Sequence, residues 1–213
     1  MTSILFAGLL TADAASTLED VAMLEIGVFT APEDADYPAL HDRITRQLTA
    51  TDGVRALATW HPAGEPATWI TVTAWRDANA FEAATRAFPS ELSAAFGAAV
   101  PAMTTWNVGP VGVVTGDLDG GTAVEVAVYA IRDDRLADFA SLHAELLSRA
   151  LAADGALGAI TARDRDDPRI FVDLVTWSST DAQKRFSDGL PAALKERYAA
   201  ALETSRFYAV LPR

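Results

Sequence analysis

Three carboxylates stand where strand periodicity could turn them into acids or bases. Glu25 lies in MLEIGVFT and Glu125 in AVEVAVYA, at the same place in two segments that alternate along the chain. Alternation argues for strands with two different faces. Leu24, Ile26 and Val28 share one face; Glu25, Gly27 and Phe29 share the other, as do Glu125, Ala127 and Tyr129. The third acid, Asp173, lies in RIFVDLVTW on a face with Phe171, Val175 and Trp177. Its counterpart in ATWITVTAW is Thr71, between Trp69 and Thr73 and followed by Trp75. The wholly aliphatic faces are expected under helices. The mixed faces are then expected to line a cavity. Phe29, Trp69, Trp75, Tyr129 and Trp177 would give it an aromatic wall suited to a flat ligand. A carboxyl there loses solvation, which raises its pKa and makes it a usable general base. The Thr71/Asp173 difference fits two halves that diverged, with one active site left, and equally fits drift.

His41 and His143 are the second pair. Each follows a leucine of an apolar helical stripe, Leu40 and Leu142, and so borders the buried side. An imidazole there can exchange protons near neutral pH. Every one of these residues also has a plainer reading. The tryptophans could fill core volume, the glutamates could pair with Arg or Lys, and the histidines could be satisfied helix residues.

The elements that position these residues occur twice. A shift of 102 residues maps Leu40-His41 onto Leu142-His143 and Asp52-Gly53 onto Asp154-Gly155. It also maps Trp75 onto Trp177 and Pro89 onto Pro191 without a gap to the chain end. Each copy reads as strand, helix, two strands joined by a turn, a helical region broken at a proline, and a last strand. That is the βαββαβ order of the ferredoxin-like unit. The fold class is α+β: two ferredoxin-like repeats, residues 1–111 and 112–213, forming a fused α+β barrel with antiparallel sheets. The opening MTSILFAGLLTAD has the look of an export signal, but AGLLTAD (7–13) has a twin in VGVVTGD (111–117). It also lacks the basic start of a signal, so it is read as an extra first strand of the repeat.

Composition removes several functions. The formal net charge of −12 repels phosphate backbones and anionic lipids, so neither nucleic acid nor membrane is an expected partner. Cysteine is absent, which excludes disulfides, thiolate nucleophiles and cysteine metal sites. The cytoplasm is the expected compartment. No HExxH, P-loop, nucleophile elbow or dinucleotide glycine pattern is present.

The run VTAWRDANAFEAATRAFPSELSAAF, and more loosely LVTWSSTDAQKRFSDGLPAAL, resembles the antibiotic biosynthesis monooxygenase-like family of dimeric α+β barrel proteins. The resemblance implies a small aromatic or polyketide-like substrate and an oxygenase that needs no cofactor and no metal. Cyclases, isomerases and non-catalytic binding proteins are the alternatives. The haem-degrading relatives use a histidine on the second helical segment; residues 76–99 and 178–202 contain none. A tandem copy supplies its own partner, so a monomeric pseudo-dimer or a weak homodimer is expected.

Overall fold

The computed structural model describes residues 21–31, 36–62, 65–116 and 121–212. The opening stretch 1–13 therefore lies outside the described residues. The rest forms two compact units that divide between Trp106 and Asn107. The first contains β1 (Met23–Thr30), α1 (Asp36–Thr49), β2 (Val54–Trp60), β3 (Thr68–Trp75), α2 (Ala78–Ala87), α3 (Ser90–Ala99) and the start of β4 (Met103–Gly116). The second contains the rest of β4, β5 (Ala123–Ile131), α4 (Leu136–Leu151), β6 (Ala156–Asp164), β7 (Ile170–Trp177), α5 (Thr180–Gly189), α6 (Ala192–Ala201) and β8 (Leu202–Pro212). The last strand of the first copy and VGVVTG are one continuous strand, β4.

Strand order is β2-β3-β1-β4 in the first unit and β4-β6-β7-β5-β8 in the second. β3 pairs antiparallel with β1 and β2, as β7 does with β5 and β6. This is the ferredoxin-like arrangement twice, an α+β fold.

Local chemistry explains why the copies fold alike. Each first helix ends before an Asp-Gly pair whose glycine has positive φ, 92° at Gly53 and 91° at Gly155. A side chain there would strike α2 or α5: a Cβ on Gly53 would lie 2.3 Å from Ala80 Cβ, and one on Gly155 2.6 Å from Ala182 Cβ. The next helix is capped by a side chain. Asp77 Oδ1 accepts from Ala80 N at 2.8 Å, and Ser179 Oγ accepts from Ala182 N at 3.1 Å. Pro89 and Pro191 precede α3 and α6, where a missing N–H costs nothing.

The structure reverses the expected sheet faces. The mixed faces lie under the helices. Phe29 packs with Tyr37 of α1 and Val100, and Trp75 with Ala80 and Ala84 of α2. Tyr129 packs with Phe139 and Leu142 of α4, and Trp177 with Ala150 and Ala182. The aliphatic residues Ile26, Ile70, Val126, Val128 and Val172 are fully buried on the opposite face. With both faces buried, an apolar stripe no longer marks the helix side; aromatic bulk and polar residues do.

Candidate active site

The second unit collects four polar side chains from three strands and one helix around Asp173. β7 presents its carboxylate between β5 and β6, opposite Ala127 and Thr161. Tyr129 of β5 donates its hydroxyl to Asp173 Oδ2 at 2.6 Å. Thr161 of β6 donates to Oδ1 at 3.0 Å. His143 comes down from α4, its Nε2 3.0 Å from both carboxylate oxygens. The imidazole and the carboxylate are only 10% and 14% exposed. Such a carboxylate fixes the imidazole's tautomer and orientation. The His143 Nδ1 makes no hydrogen bond among the described residues.

Rings frame this network. Tyr129 stacks parallel to Phe171 at 6.2 Å and meets Phe139 and Tyr198 edge-on at 5.9 Å each. The Arg163 guanidinium lies 5.4 Å over Phe171. Burial, reinforced by the negative charge of Asp173, pushes the Tyr129 hydroxyl well above the usual phenol range. Tyr129 therefore stays protonated and acts as a donor.

A second polar group adjoins the first. The Trp177 indole donates to Glu125 Oε2 at 3.1 Å, and Gln183 of α5 donates to the Tyr208 hydroxyl at 2.8 Å. Burial raises the Glu125 pKa; hydrogen bonds from Tyr208, Trp177 and Gln183 oppose the rise, and the charge of Asp173 adds to it. Among the described residues neither Glu25 nor Glu125 pairs with Arg or Lys: their partners are indole, phenol and amide donors.

The first unit keeps only part of this. His41 Nε2 lies 3.2 Å from Thr59 Oγ1, as His143 lies near Thr161, and its ring is 4.7 Å from Trp69. Burial lowers the His41 pKa. Phe29 stacks parallel to Trp69 at 6.5 Å and meets Tyr37 and Phe96 edge-on. Burial raises the Glu25 pKa and the neighbouring Trp75 indole offsets it in part, although Trp75 Nε1 is not within hydrogen-bond distance of an acceptor. The remaining counterparts are apolar or uncharged: Asp173, Tyr129, Gln183, Tyr198 and Tyr208 correspond to Thr71, Phe29, Phe81, Phe96 and Trp106. Two open depressions of 440 and 490 Å³ on the first unit hold none of the candidate residues.

The structure thus joins Tyr129, His143 and Asp173 in one network and Glu125 with Trp177 in another. Phe29, His41 and Trp69 form an aromatic cluster in the first unit, with Glu25 and Trp75 beside α2. Thr161, Gln183, Tyr198 and Tyr208 escaped the sequence reading. The signal for the last three was there: each is the polar member of a pair whose other copy is aromatic and apolar.

Fold and site together define a tandem ferredoxin-like protein with a buried histidine–carboxylate pair in one repeat. No protein-family model matches the sequence, and no curated protein is significantly similar to it. Solved structures are. A "putative monooxygenase" from Fusobacterium nucleatum superposes with a TM-score of 0.71 at 14% identity, over 90% of this chain and 92% of that one. An anthrone oxidase-like protein gives 0.67 at 14% identity, over 91% and 92%. A ferredoxin-fold protein from Listeria monocytogenes related to antibiotic biosynthesis monooxygenases gives 0.56 at 10%, over 92% and 96%. At these identities the likeness bears on fold, and there it agrees with the resemblance carried by the sequence. No helix among the described residues is long and apolar enough to cross a membrane.

Proposed function

We propose that the protein is a cofactor-independent monooxygenase of a flat aromatic or polyketide-like molecule, with its active site on the helix-covered face of the second unit. The observation that carries this is the His143–Asp173 pair, closed by Tyr129 and Thr161 and lacking its acid in the first unit. His143, held by Asp173, takes a proton from an activated C–H between aromatic rings. The carbanion reduces dioxygen and a C–O bond forms. The hydroperoxide then loses water to leave a ketone: one CH₂ and one O₂ become one C=O and one H₂O. Deprotonation supplies the electron-rich carbon, so dioxygen is the oxidant and the step needs no metal. The neighbour described as anthrone oxidase-like supports an anthrone as the first probe.

The test is oxygen uptake with 1,8-dihydroxyanthrone, with and without a chelator. Wild type is expected to form the anthraquinone at the same rate in both. Asp173→Asn and His143→Gln are each expected to lose about 100-fold or more, the usual size of a positioned base. Undiminished turnover in both variants, with the fold intact by circular dichroism, would remove the pair as the base. Anaerobic deuterium exchange at the reacting carbon separates a second use of the same base. Exchange by wild type without oxygen uptake in air would make the protein an isomerase or cyclase.

A further inference from the structure

Tyr208 combines two properties that rarely meet. The residue is 53% exposed, unlike nearly all other large apolar residues among those described. Its hydroxyl is nevertheless tied to Gln183, an amide only 6% exposed, at 2.8 Å. An exposed tyrosine ordinarily swings freely and bonds to water. This one is pinned at its inner end, so its ring is held as a fixed plane. The same amide and hydroxyl also interact with Glu125, which takes the Trp177 N–H at 3.1 Å. Packing alone does not require this group, because the first unit fills the corresponding places with Phe81 and Trp106, and Trp106 is 9% exposed there. Beside a glutamate that both units carry, the second unit has replaced two apolar side chains with an amide and an open aromatic plane. Glu125 and Asp173 lie on the same sheet face, on adjacent strands two residues apart in register, a diagonal separation of about 7–8 Å. A ring system against Tyr208 could therefore reach both.

We propose that Tyr208, Gln183 and Glu125 form an oxygen-recognising wall of the site that selects planar aromatics bearing a hydroxyl near the reacting carbon. The proposal rests on the second unit being the active one. The Tyr208 ring stacks on the substrate. Glu125 accepts the hydrogen bond of the substrate's phenolic hydroxyl, and Gln183 holds both in place. Bare rings add no hydrogen bond to the buried Glu125 and are disfavoured.

The experiment titrates wild type with 1,8-dihydroxyanthraquinone, an already oxidised analogue, and with unsubstituted anthraquinone, following quenching of tryptophan fluorescence. Wild type is expected to bind the hydroxylated ligand about 10-fold more tightly than the bare one, as one further buried hydrogen bond would give. Glu125→Gln is expected to erase that preference, and Tyr208→Ala to weaken both ligands. Tyr208→Phe keeps the ring and loses its anchor, so it is expected to weaken both ligands less than Tyr208→Ala. Thermal melts confirm that each variant folds. Equal affinity of wild type for the two ligands, binding of neither, or unchanged affinities in Glu125→Gln and Tyr208→Ala would each overturn the wall. Oxygen uptake is read in parallel: a wall that fails while Asp173→Asn still abolishes turnover leaves the oxygenase reading standing. Asp173→Asn turning over like wild type defeats that reading whatever the ligands do.

Discussion

A carboxyl placed under a helix meets different fates according to the donors around it. Asp173 meets two hydroxyl donors and an imidazole. Glu25 has mainly the Trp75 indole beside it, and burial leaves its pKa above the ordinary 4.5. The folded chain therefore holds more protons than the unfolded chain between that value and the raised one. The stability linked to Glu25 is complete below about pH 4.5 and is lost as pH rises through the raised pKa. Glu25→Gln removes the ionising group and keeps the shape. It is expected to raise Tm at pH 8 and leave it nearly unchanged at pH 4. A thermal melt at the two values checks this, and an equal Tm change at both would show that ionisation is not what Glu25 costs. The same comparison at Thr71, the first-unit counterpart of Asp173, separates activity from stability. Thr71→Ala is expected to leave oxygen uptake within about twofold, as for a substitution remote from the base.

The elements owe their register to a few punctuating residues, and these were the legible part of the sequence. Asp52-Gly53, Asp154-Gly155, Pro89 and Pro191 marked the helix ends, and MLEIGVFT and AVEVAVYA marked β1 and β5. The site was legible only in part. Glu125, His143 and Asp173 stood out as polar residues in apolar patterns. The face they occupy was misread, because alternation shows that two faces differ and not which one meets a helix. Thr161 on β6 carries no pattern of its own, and only pairing across strands brings it to Asp173; Tyr208 on β8 meets Gln183 only through the packing of α5 on the sheet. The element-scale prediction concerns Gly155. Its φ of 91° disfavours any other residue, and an added Cβ would meet Ser178 Oγ at 2.5 Å and Ala182 Cβ at 2.6 Å. Gly155→Ala is expected to destabilise the protein by about 1–3 kcal/mol through backbone strain, besides shifting α5 against β6. Chemical denaturation measures it. Because α5 also carries Gln183, the same variant is expected to loosen Tyr208, visible as a change in tyrosine accessibility to a quencher.

At the scale of the whole chain, duplication frees one copy to change. Ferredoxin-like units cover one sheet face with helices and leave the other to be buried, which a tandem repeat can do for itself. With the same fold built in both copies, the polar cost of a site need fall on only one of them. The two units here divide in that way: the first has Phe29, Thr71, Phe81, Phe96 and Trp106 where the second has Tyr129, Asp173, Gln183, Tyr198 and Tyr208. Native mass spectrometry with excess 1,8-dihydroxyanthraquinone tests the division directly. The expected result is a single chain, or a dimer that dissociates on dilution, holding one ligand per chain. Asp173→Asn removes the base but not the aromatic walls, and so is expected to keep that stoichiometry while losing turnover. Two ligands per wild-type chain would show that the aromatic cluster of Phe29, Tyr37 and Trp69 also opens to a ligand, and would end the case for a single site. An assembly that persists at the lowest concentrations would show instead that the chain needs a second copy, and that the internal repeat does not replace it.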